Sequence, residues 1–288
     1  MYKTVFVLIL IFVFASFMNA QEIEVEVEDD DWEDYVHWEW EIDQPLIEII
    51  YGLGNPQHKK FEGDFAKTGL LELKLGYQNS DTYRSSSILE FNNSFFFVSN
   101  LNSKLSSESE ATDKVRLNTW RFGLGTSDGY GYRIGKVAIL PYNQNSFVWS
   151  MVKPDAPANI TPSDQEILDL YKDTFRFGSL FDAGVKFDFS SFIALGASFE
   201  GAVVYPRHMF WQWAGSFIIE GASQGMLSLF IKKIMKASPE AGPVVFFLLK
   251  NGLSYAFYAL RREKMNWPFN STTPLTFETF KFGLTFTF

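Results

Sequence analysis

The sequence contains no cysteine, so disulfide bonds and cysteine-ligated metals are excluded. It has only three histidines, and none of His37, His58 or His208 has a partner at the spacing of a metal motif such as HExxH. The glycine-containing stretch 128–135 lacks the Gly-Lys-Ser/Thr ending of a phosphate-binding loop. The sequence therefore assigns no catalytic residue, no metal site and no cofactor.

Basic residues are absent from one segment near the N-terminus. Residues 21–43 contain twelve aspartates and glutamates and no lysine or arginine, while the rest of the chain is nearly neutral. A basic footprint for nucleic acid is missing, so no nucleic-acid partner is expected. Residues 21–44 are interpreted as an acidic N-terminal arm that contributes little to the fold, with a docking segment as the alternative.

The first twenty residues have the layout of a secretory signal peptide. Lys3 is followed by an apolar run from Val5 to Phe14, and small and polar residues lead to Ala20. That run is shorter than the roughly 20 apolar residues that a membrane-spanning helix needs. We expect residues 1–20 to be a signal peptide cleaved after Ala20, with a retained anchor as the alternative.

Aromatic residues make up 18% of the chain, and from Pro45 onward apolar and polar residues alternate. A period of two with one apolar face predicts a β-strand that is half buried. In the third segment, this pattern predicts Phe91, Phe95 and Phe97 on the apolar outer face. The eight alternating segments are 46–54, 69–78, 86–98, 114–125, 130–140, 174–189, 191–205 and 280–288.

Long and short connections alternate between these segments. The short ones include 126–129 and the turn after Phe189, and the long ones include 55–68 and 141–173. Short periplasmic turns and long extracellular loops are typical of barrels in the bacterial outer membrane. Because eight is an even number, both ends of the barrel segment are expected on the periplasmic side.

The chain ends on a strict alternation with an aromatic last residue. Such an ending resembles the assembly signal of bacterial outer-membrane β-barrel proteins. The resemblance implies a membrane all-β fold, an antiparallel up-and-down barrel over residues 45–288, location in the outer membrane, and contact with membrane lipid and with the barrel assembly machinery. It does not identify a subfamily. The matching residues are Phe280, Phe282, Leu284, Phe286 and Phe288.

A long insertion, 206–264, precedes the last strand. Its apolar spacing, with "SPEAGP" as a break, predicts two helices that rest on the barrel mouth or in the outer leaflet above a small apolar space. As the alternative, 211–218 and 253–261 are strands of a ten-stranded barrel, and 222–237 is a periplasmic helix.

Charged residues on the polar faces of the strands are candidates for the barrel interior. An eight-stranded barrel is just wide enough to be filled by side chains, so charges of both signs favour a structural plug over an ion path. The candidate lumen-facing residues are Glu72, Lys74, Glu90, Asp182, Lys186, Asp188 and Glu200.

These observations lead to three functional hypotheses. The first is a non-enzymatic barrel that binds or transports a small apolar molecule or has an envelope-structural role. The second is a barrel-embedded lipid-modifying enzyme, for which His208 and a loop serine would have to meet at the rim. The third is a secretion or assembly component that uses the acidic arm.

Changing both Phe286 and Phe288 to Asp, or deleting Phe288, is expected to lower the amount of folded protein in the outer membrane. Charge on the lipid-facing side of a barrel strand is unfavourable, and the terminal strand loses its aromatic recognition residues. Membrane fractionation and the heat-modifiable gel shift measure the effect, with Thr287→Ser as the control. Unchanged levels in the Asp variant would contradict the resemblance.

Overall fold

The computed structural model of the protein describes residues 44–83, 87–110 and 112–288. The predicted signal peptide 1–20 and the acidic arm up to position 43 lie outside the described residues. Within the described part of the chain there are eight strands and three helices.

The eight strands form one closed antiparallel barrel, in which each strand pairs with its neighbours in the chain and the last pairs with the first. The eight-stranded up-and-down prediction is confirmed, and the ten-stranded alternative is wrong. The strands are β1 (Gln44–Gln57), β2 (Thr68–Thr82), β3 (Ile88–Asn102), β4 (Arg116–Ile134), β5 (Val137–Asp155), β6 (Phe175–Asp188), β7 (Ile193–Val204) and β8 (Leu275–Thr287).

The terminal strand β8 closes the ring against β1. In their register, Phe286 lies opposite Ile47, and Phe282 lies opposite Tyr51. Tyr51 and Phe282 are both exposed on the outer face, whereas Lys281, the residue before Phe282, is buried in the interior. The alternation at the end of the chain is therefore that of a strand with an apolar medium on one side and polar groups on the other.

The two ends of the barrel differ in the length of their connections. The three connections at the end where the barrel begins and finishes are short, and the four at the opposite end are long, as in outer-membrane barrels. We call these the periplasmic end and the extracellular end. The short connections are 83–87, 135–136 and 189–192, and the long ones are 58–67, 103–115, 156–174 and 205–274.

Strand β3 faces the opposite way from the sequence prediction. Phe91, Phe95 and Phe97 are buried in the interior, and Phe96 is exposed on the outer face. All four residues of 95–98 are apolar, so the period-two pattern does not indicate which face of β3 is buried. The neighbouring strand defines it instead, because three glycines leave room for the three rings. A Cβ atom at Gly123, Gly125 or Gly129 would come within 2.6 to 2.7 Å of Phe97, Phe95 or Phe91, respectively.

The extracellular loops form a cap over the barrel. The short helix α1 (Pro162–Asp169) lies in loop 156–174, and its Asp164 accepts hydrogen bonds from the backbone N–H groups of Glu62 (2.9 Å) and Gly63 (3.1 Å). A large apolar cluster fills the extracellular half of the lumen beneath the cap. Its members include Leu70, Phe97, Leu101, Leu117, Val148, Leu168, Tyr171, Leu180 and Phe277.

The insertion before β8 contains two helices, α2 (Phe210–Ala237) and α3 (Gly242–Glu263), joined by a short 3-10 turn. We call this pair the helical hairpin. It lies against the outer wall of the barrel. Asn143, on the outer face of β5, donates through Nδ2 to Oδ1 of Asn251 in α3 at 2.8 Å. At the periplasmic end, the Tyr132 hydroxyl donates to the carbonyl oxygen of Glu240 at 2.5 Å.

The expectation that the helices rest on the barrel mouth is therefore wrong. The 28 residues of α2 correspond to about 42 Å of helix, which is enough to run along the wall from one end to the other. The mouth is already occupied by the loop cap and its apolar cluster. The outer wall, in contrast, presents a polar partner at Asn143 for the buried amide of Asn251.

The position of the helical hairpin can be tested with paired cysteines, because the chain has none of its own. Asn143→Cys combined with Asn251→Cys is expected to be joined by a short bifunctional thiol reagent in the folded protein, since the two native side chains touch. The readout is a gel shift of the denatured chain. The control pairs Asn251→Cys with Tyr77→Cys, on the outer face of β2, and should not be joined. Equal cross-linking of the two pairs would contradict the wall position.

Candidate functional site

A layer of charged side chains crosses the interior of the barrel. Each of its members is at most 4% exposed, and acids and bases are equal in number. We call this layer the lumen network. The acids are Glu48, Glu72, Asp182 and Glu200, and the bases are Lys74, Arg121, Lys186 and Lys281.

Arg121 and Glu200 connect opposite sides of the lumen. Arg121 is on β4 and Glu200 is on β7, which are not neighbours in the barrel. Nη1 and Nη2 of Arg121 donate to the two carboxylate oxygens of Glu200 at 2.7 and 3.3 Å. Nε of Arg121 donates to the Ser99 hydroxyl at 3.1 Å. Such a bidentate pair is the strongest and most directional ion pair that side chains form.

Lys281 is the point at which three carboxylates meet. Its Nζ lies 2.8 Å from Oε2 of Glu200, 2.9 Å from Oε1 of Glu72 and 3.2 Å from Oδ1 of Asp182. These acids come from β7, β2 and β6, so one lysine of the terminal strand connects four strands.

Two further lysines, Lys74 and Lys186, complete the lumen network. Lys74 donates to Oε1 of Gln144 at 2.9 Å and lies 3.5 Å from Oε2 of Glu48. Gln144 donates in turn to Asp182. Lys186 lies over the ring of Tyr142, with Nζ 5.9 Å from its centroid, which adds a cation–π contact.

The structure assigns the predicted lumen residues to different places. Five of them, Glu72, Lys74, Asp182, Lys186 and Glu200, belong to the lumen network. Glu90 does not, because β3 faces the other way. It is exposed on the outer face and accepts a hydrogen bond from the Tyr130 hydroxyl at 2.8 Å. Asp188 is half-buried at the periplasmic end of β6.

Three charged members of the lumen network were missed in the sequence. Glu48 lies between the apolar neighbours of "LIEII", Arg121 lies in the weakly alternating "NTWRFGLG", and Lys281 belongs to the terminal "FKFGLTFTF". All three stand at polar positions of the period-two pattern. Aligning the strands on this pattern would therefore place all three in the interior, where acids and bases can be matched in number.

The lumen is filled on both sides of the lumen network. The apolar cluster under the loop cap lies on the extracellular side. Leu89, Phe91, Ala138, Leu140 and Tyr142 form a second cluster on the periplasmic side. Charges removed from water are stable only when they are paired, and here each acid has a cation nearby. The interior is thus a packed core.

The helical hairpin is attached to the barrel and to itself by polar contacts. Asn251 donates through Nδ2 to the backbone oxygen of Tyr142 at 3.1 Å, while Ser254 accepts from Asn143 at 3.1 Å. Between the helices, Arg261 of α3 pairs with Glu220 of α2 at 2.6 Å. Polar groups inside an apolar layer must find partners, so these contacts determine where the hairpin docks.

The two histidines in the described part of the chain make hydrogen bonds or ring contacts with neighbouring residues. The ring of His58 accepts a hydrogen bond at Nδ1 from the N–H of Lys60 (3.4 Å), so the proton is on Nε2, which donates to the Thr273 carbonyl (3.2 Å). Burial lowers the pKa of His58 below its ordinary value. His208 packs edge-on against Phe177, at 5.7 Å between ring centroids, and burial lowers its pKa too.

The outer surface of the barrel has the opposite character to its interior. Side chains such as Ile49, Leu53, Leu73 and Phe280 are between 40 and 63% exposed, although all are apolar. The distribution of charged and apolar side chains, with paired charges inside and an apolar belt outside, is the reverse of that in a water-soluble protein. The closed barrel also has no open sheet edge that lipid would leave without hydrogen bonds. The protein is an outer-membrane β-barrel.

Comparisons with solved structures found barrels of the same strand number. Neisserial surface protein A, from Neisseria, aligns with a TM-score of 0.40 and 8% identity over 85% of this chain and 97% of that one. Ail, the attachment invasion locus protein of Yersinia pestis, aligns with a TM-score of 0.32 and 8% identity over 85% and 99%. No family model and no curated protein matches the sequence.

Removing one charge from the lumen network is expected to destabilise the barrel. Arg121→Met leaves Glu200 without its bidentate partner, and a loss of about 3–5 kcal/mol in the free energy of unfolding is expected. Urea titration of the refolded protein in detergent micelles, followed by the heat-modifiable gel shift, measures it.

The double variant Arg121→Met with Glu200→Leu removes both charges together. Its loss should be smaller than that of Arg121→Met alone, because no unpaired carboxylate remains. Lys60→Met, at an exposed loop position, is the control and should unfold like the parent. A single variant as stable as the parent would show that the network does not support the fold.

Proposed function

We propose that this protein is a non-conducting barrel of the bacterial outer membrane with an envelope-structural role, and that its barrel holds the helical hairpin in the membrane. The terminal strand would be recognised by the barrel assembly machinery, and the outer belt would contact membrane lipid.

The observation that supports this proposal most strongly is the filled lumen. The lumen network contains ion pairs that join strands on opposite sides, and apolar clusters lie on both sides of it. A conducting path would need continuous water along the lumen, and water would weaken each of these pairs. A barrel of eight strands has no spare width for such a path.

The composition and exposure of the helical hairpin support its place in the membrane. Both helices are long and apolar enough to cross a bilayer. Only 11% of the most apolar stretch of α2 is buried, so α2 is not a buried core helix. Its exposed face presents Ile218, Met226, Leu229 and Phe230, each more than half exposed. Such a face is stable against lipid and unstable against water.

The side chains around one extracellular cavity do not suit a small apolar molecule. A cavity of about 110 Å³ at the extracellular end is lined by Gln57, His58, Lys59, Arg262 and Thr276, which are all polar. Arg262 is already paired with Glu278 at 2.9 Å. A binding site for an apolar molecule would instead be lined mainly by apolar side chains.

Planar lipid bilayers test the proposed function. Refolded protein inserted into the bilayer is expected to give no stepwise ionic current at voltages where a general porin, run in parallel, conducts. The double variant Arg121→Ala with Glu200→Ala removes the pair that spans the lumen and indicates whether the assay would detect an opened barrel. Stable ohmic steps from the parent protein would overturn the proposal.

A further inference from the structure

Five basic side chains gather where the helical hairpin meets the periplasmic end of the barrel. Lys232, Lys233 and Lys236 lie in the last turns of α2, and Arg133 and Lys136 lie at the β4–β5 turn. All five are exposed. We call this group the basic rim.

The two parts of the basic rim are held together by contacts. The hydroxyl of Tyr132, the residue next to Arg133, donates to the carbonyl oxygen of Glu240 in the turn of the helical hairpin, at 2.5 Å. On the inner side of α2, Ile231 and Met235 are buried in an apolar cluster that also contains Tyr130 of β4. The end of α2 is thus fixed beside the β4–β5 turn.

Within the described part of the chain, the cations of the basic rim have no acidic partner. Among the described residues, no carboxylate lies within ion-pair distance of any of the five, although Glu240 is close in sequence. The two arginines of the helical hairpin, in contrast, are paired, Arg261 with Glu220 and Arg262 with Glu278. The dipole of α2 accounts for one lysine near its C-terminus, but it does not require five cations at one edge.

The height and surroundings of the basic rim identify its ligand. A helix of 28 residues that crosses the membrane beside the barrel brings its last two turns to the level of the periplasmic headgroups. Leu229 and Phe230, one turn above the lysines, are 56 and 55% exposed, as is Val244 (51%) at the start of α3. Acyl chains can lie against these side chains while the phosphate of the same lipid meets the lysines.

We propose that the basic rim binds the headgroups of anionic phospholipids in the periplasmic leaflet. The apolar face above it and the unpaired cations together match one amphiphilic molecule with negative charge at its polar end. This inference rests on the proposed place of the helical hairpin in the membrane.

The test uses the refolded full chain in phosphatidylcholine vesicles with spin-labelled lipids. Spin-labelled phosphatidylglycerol is expected to associate with the protein about threefold more strongly than spin-labelled phosphatidylcholine, because several lysines act on one anionic surface. The variant Lys232→Gln, Lys233→Gln, Lys236→Gln should lose most of that preference. Adding Arg133→Gln and Lys136→Gln should remove the remainder.

The matched control removes three unpaired exposed lysines at the extracellular end, as Lys60→Gln, Lys153→Gln and Lys264→Gln. It lowers the net charge by the same amount and should leave the preference in place. A preference that survives in the five-fold variant, or that falls equally in the control, would overturn the basic rim as the binding site.

A second label separates this inference from the proposed function. A nitroxide on Met226→Cys, at an exposed apolar position of α2, should be accessible to oxygen dissolved in the membrane and shielded from a water-soluble nickel complex. If that label lies in water, the proposed membrane position of the hairpin fails and the lipid inference with it. If the label lies in lipid and phosphatidylglycerol shows no preference, only the lipid inference fails.

Discussion

The pairing of charges inside the barrel is the constraint on which the rest of the structure depends. Lys281 on the last strand needs carboxylates from three other strands, and Arg121 needs Glu200 from across the lumen. A slip of one residue in any of these strands would turn a charge toward lipid and leave its partner unpaired. The network therefore favours one register for the whole ring, which backbone hydrogen bonds by themselves do not distinguish.

The same constraint explains how far the sequence alone predicts this fold. Around Asp182 and Lys186 in β6 and around Glu200 in β7, every second residue is polar or small, and the sequence predicts the interior position of these three residues correctly. In β3 both faces contain phenylalanine, and the choice of face depends on glycines in β4 that are distant in sequence. Period-two patterns show that two faces differ, but the partner strand decides which face is inside.

For a related reason, the sequence predicts the helices of the helical hairpin but not the place where they dock. Its helical spacing is visible in the sequence, but its docking position depends on a polar residue on the outer face of a strand. Asn143 stands where a lipid-facing side chain is expected, and it is buried only because Asn251 and Ser254 cover it. A polar residue on the lipid face of a barrel strand, together with polar residues within an apolar helix, can thus indicate that the two segments touch.

The polar residues that attach the helical hairpin also bear on how the chain reaches its membrane. A protein bound for the outer membrane first crosses the inner one, where a sufficiently apolar helix stops and inserts sideways. A charged residue at the centre of a helix opposes such insertion by about 2.5–3.5 kcal/mol, several times what one leucine contributes in favour. Glu220 lies near the middle of α2, and Lys250 and Asn251 lie near the middle of α3. Inside the folded protein Glu220 meets Arg261, and Asn251 meets Asn143. During export these groups have no such partners, so they oppose sideways insertion of either helix into the inner membrane.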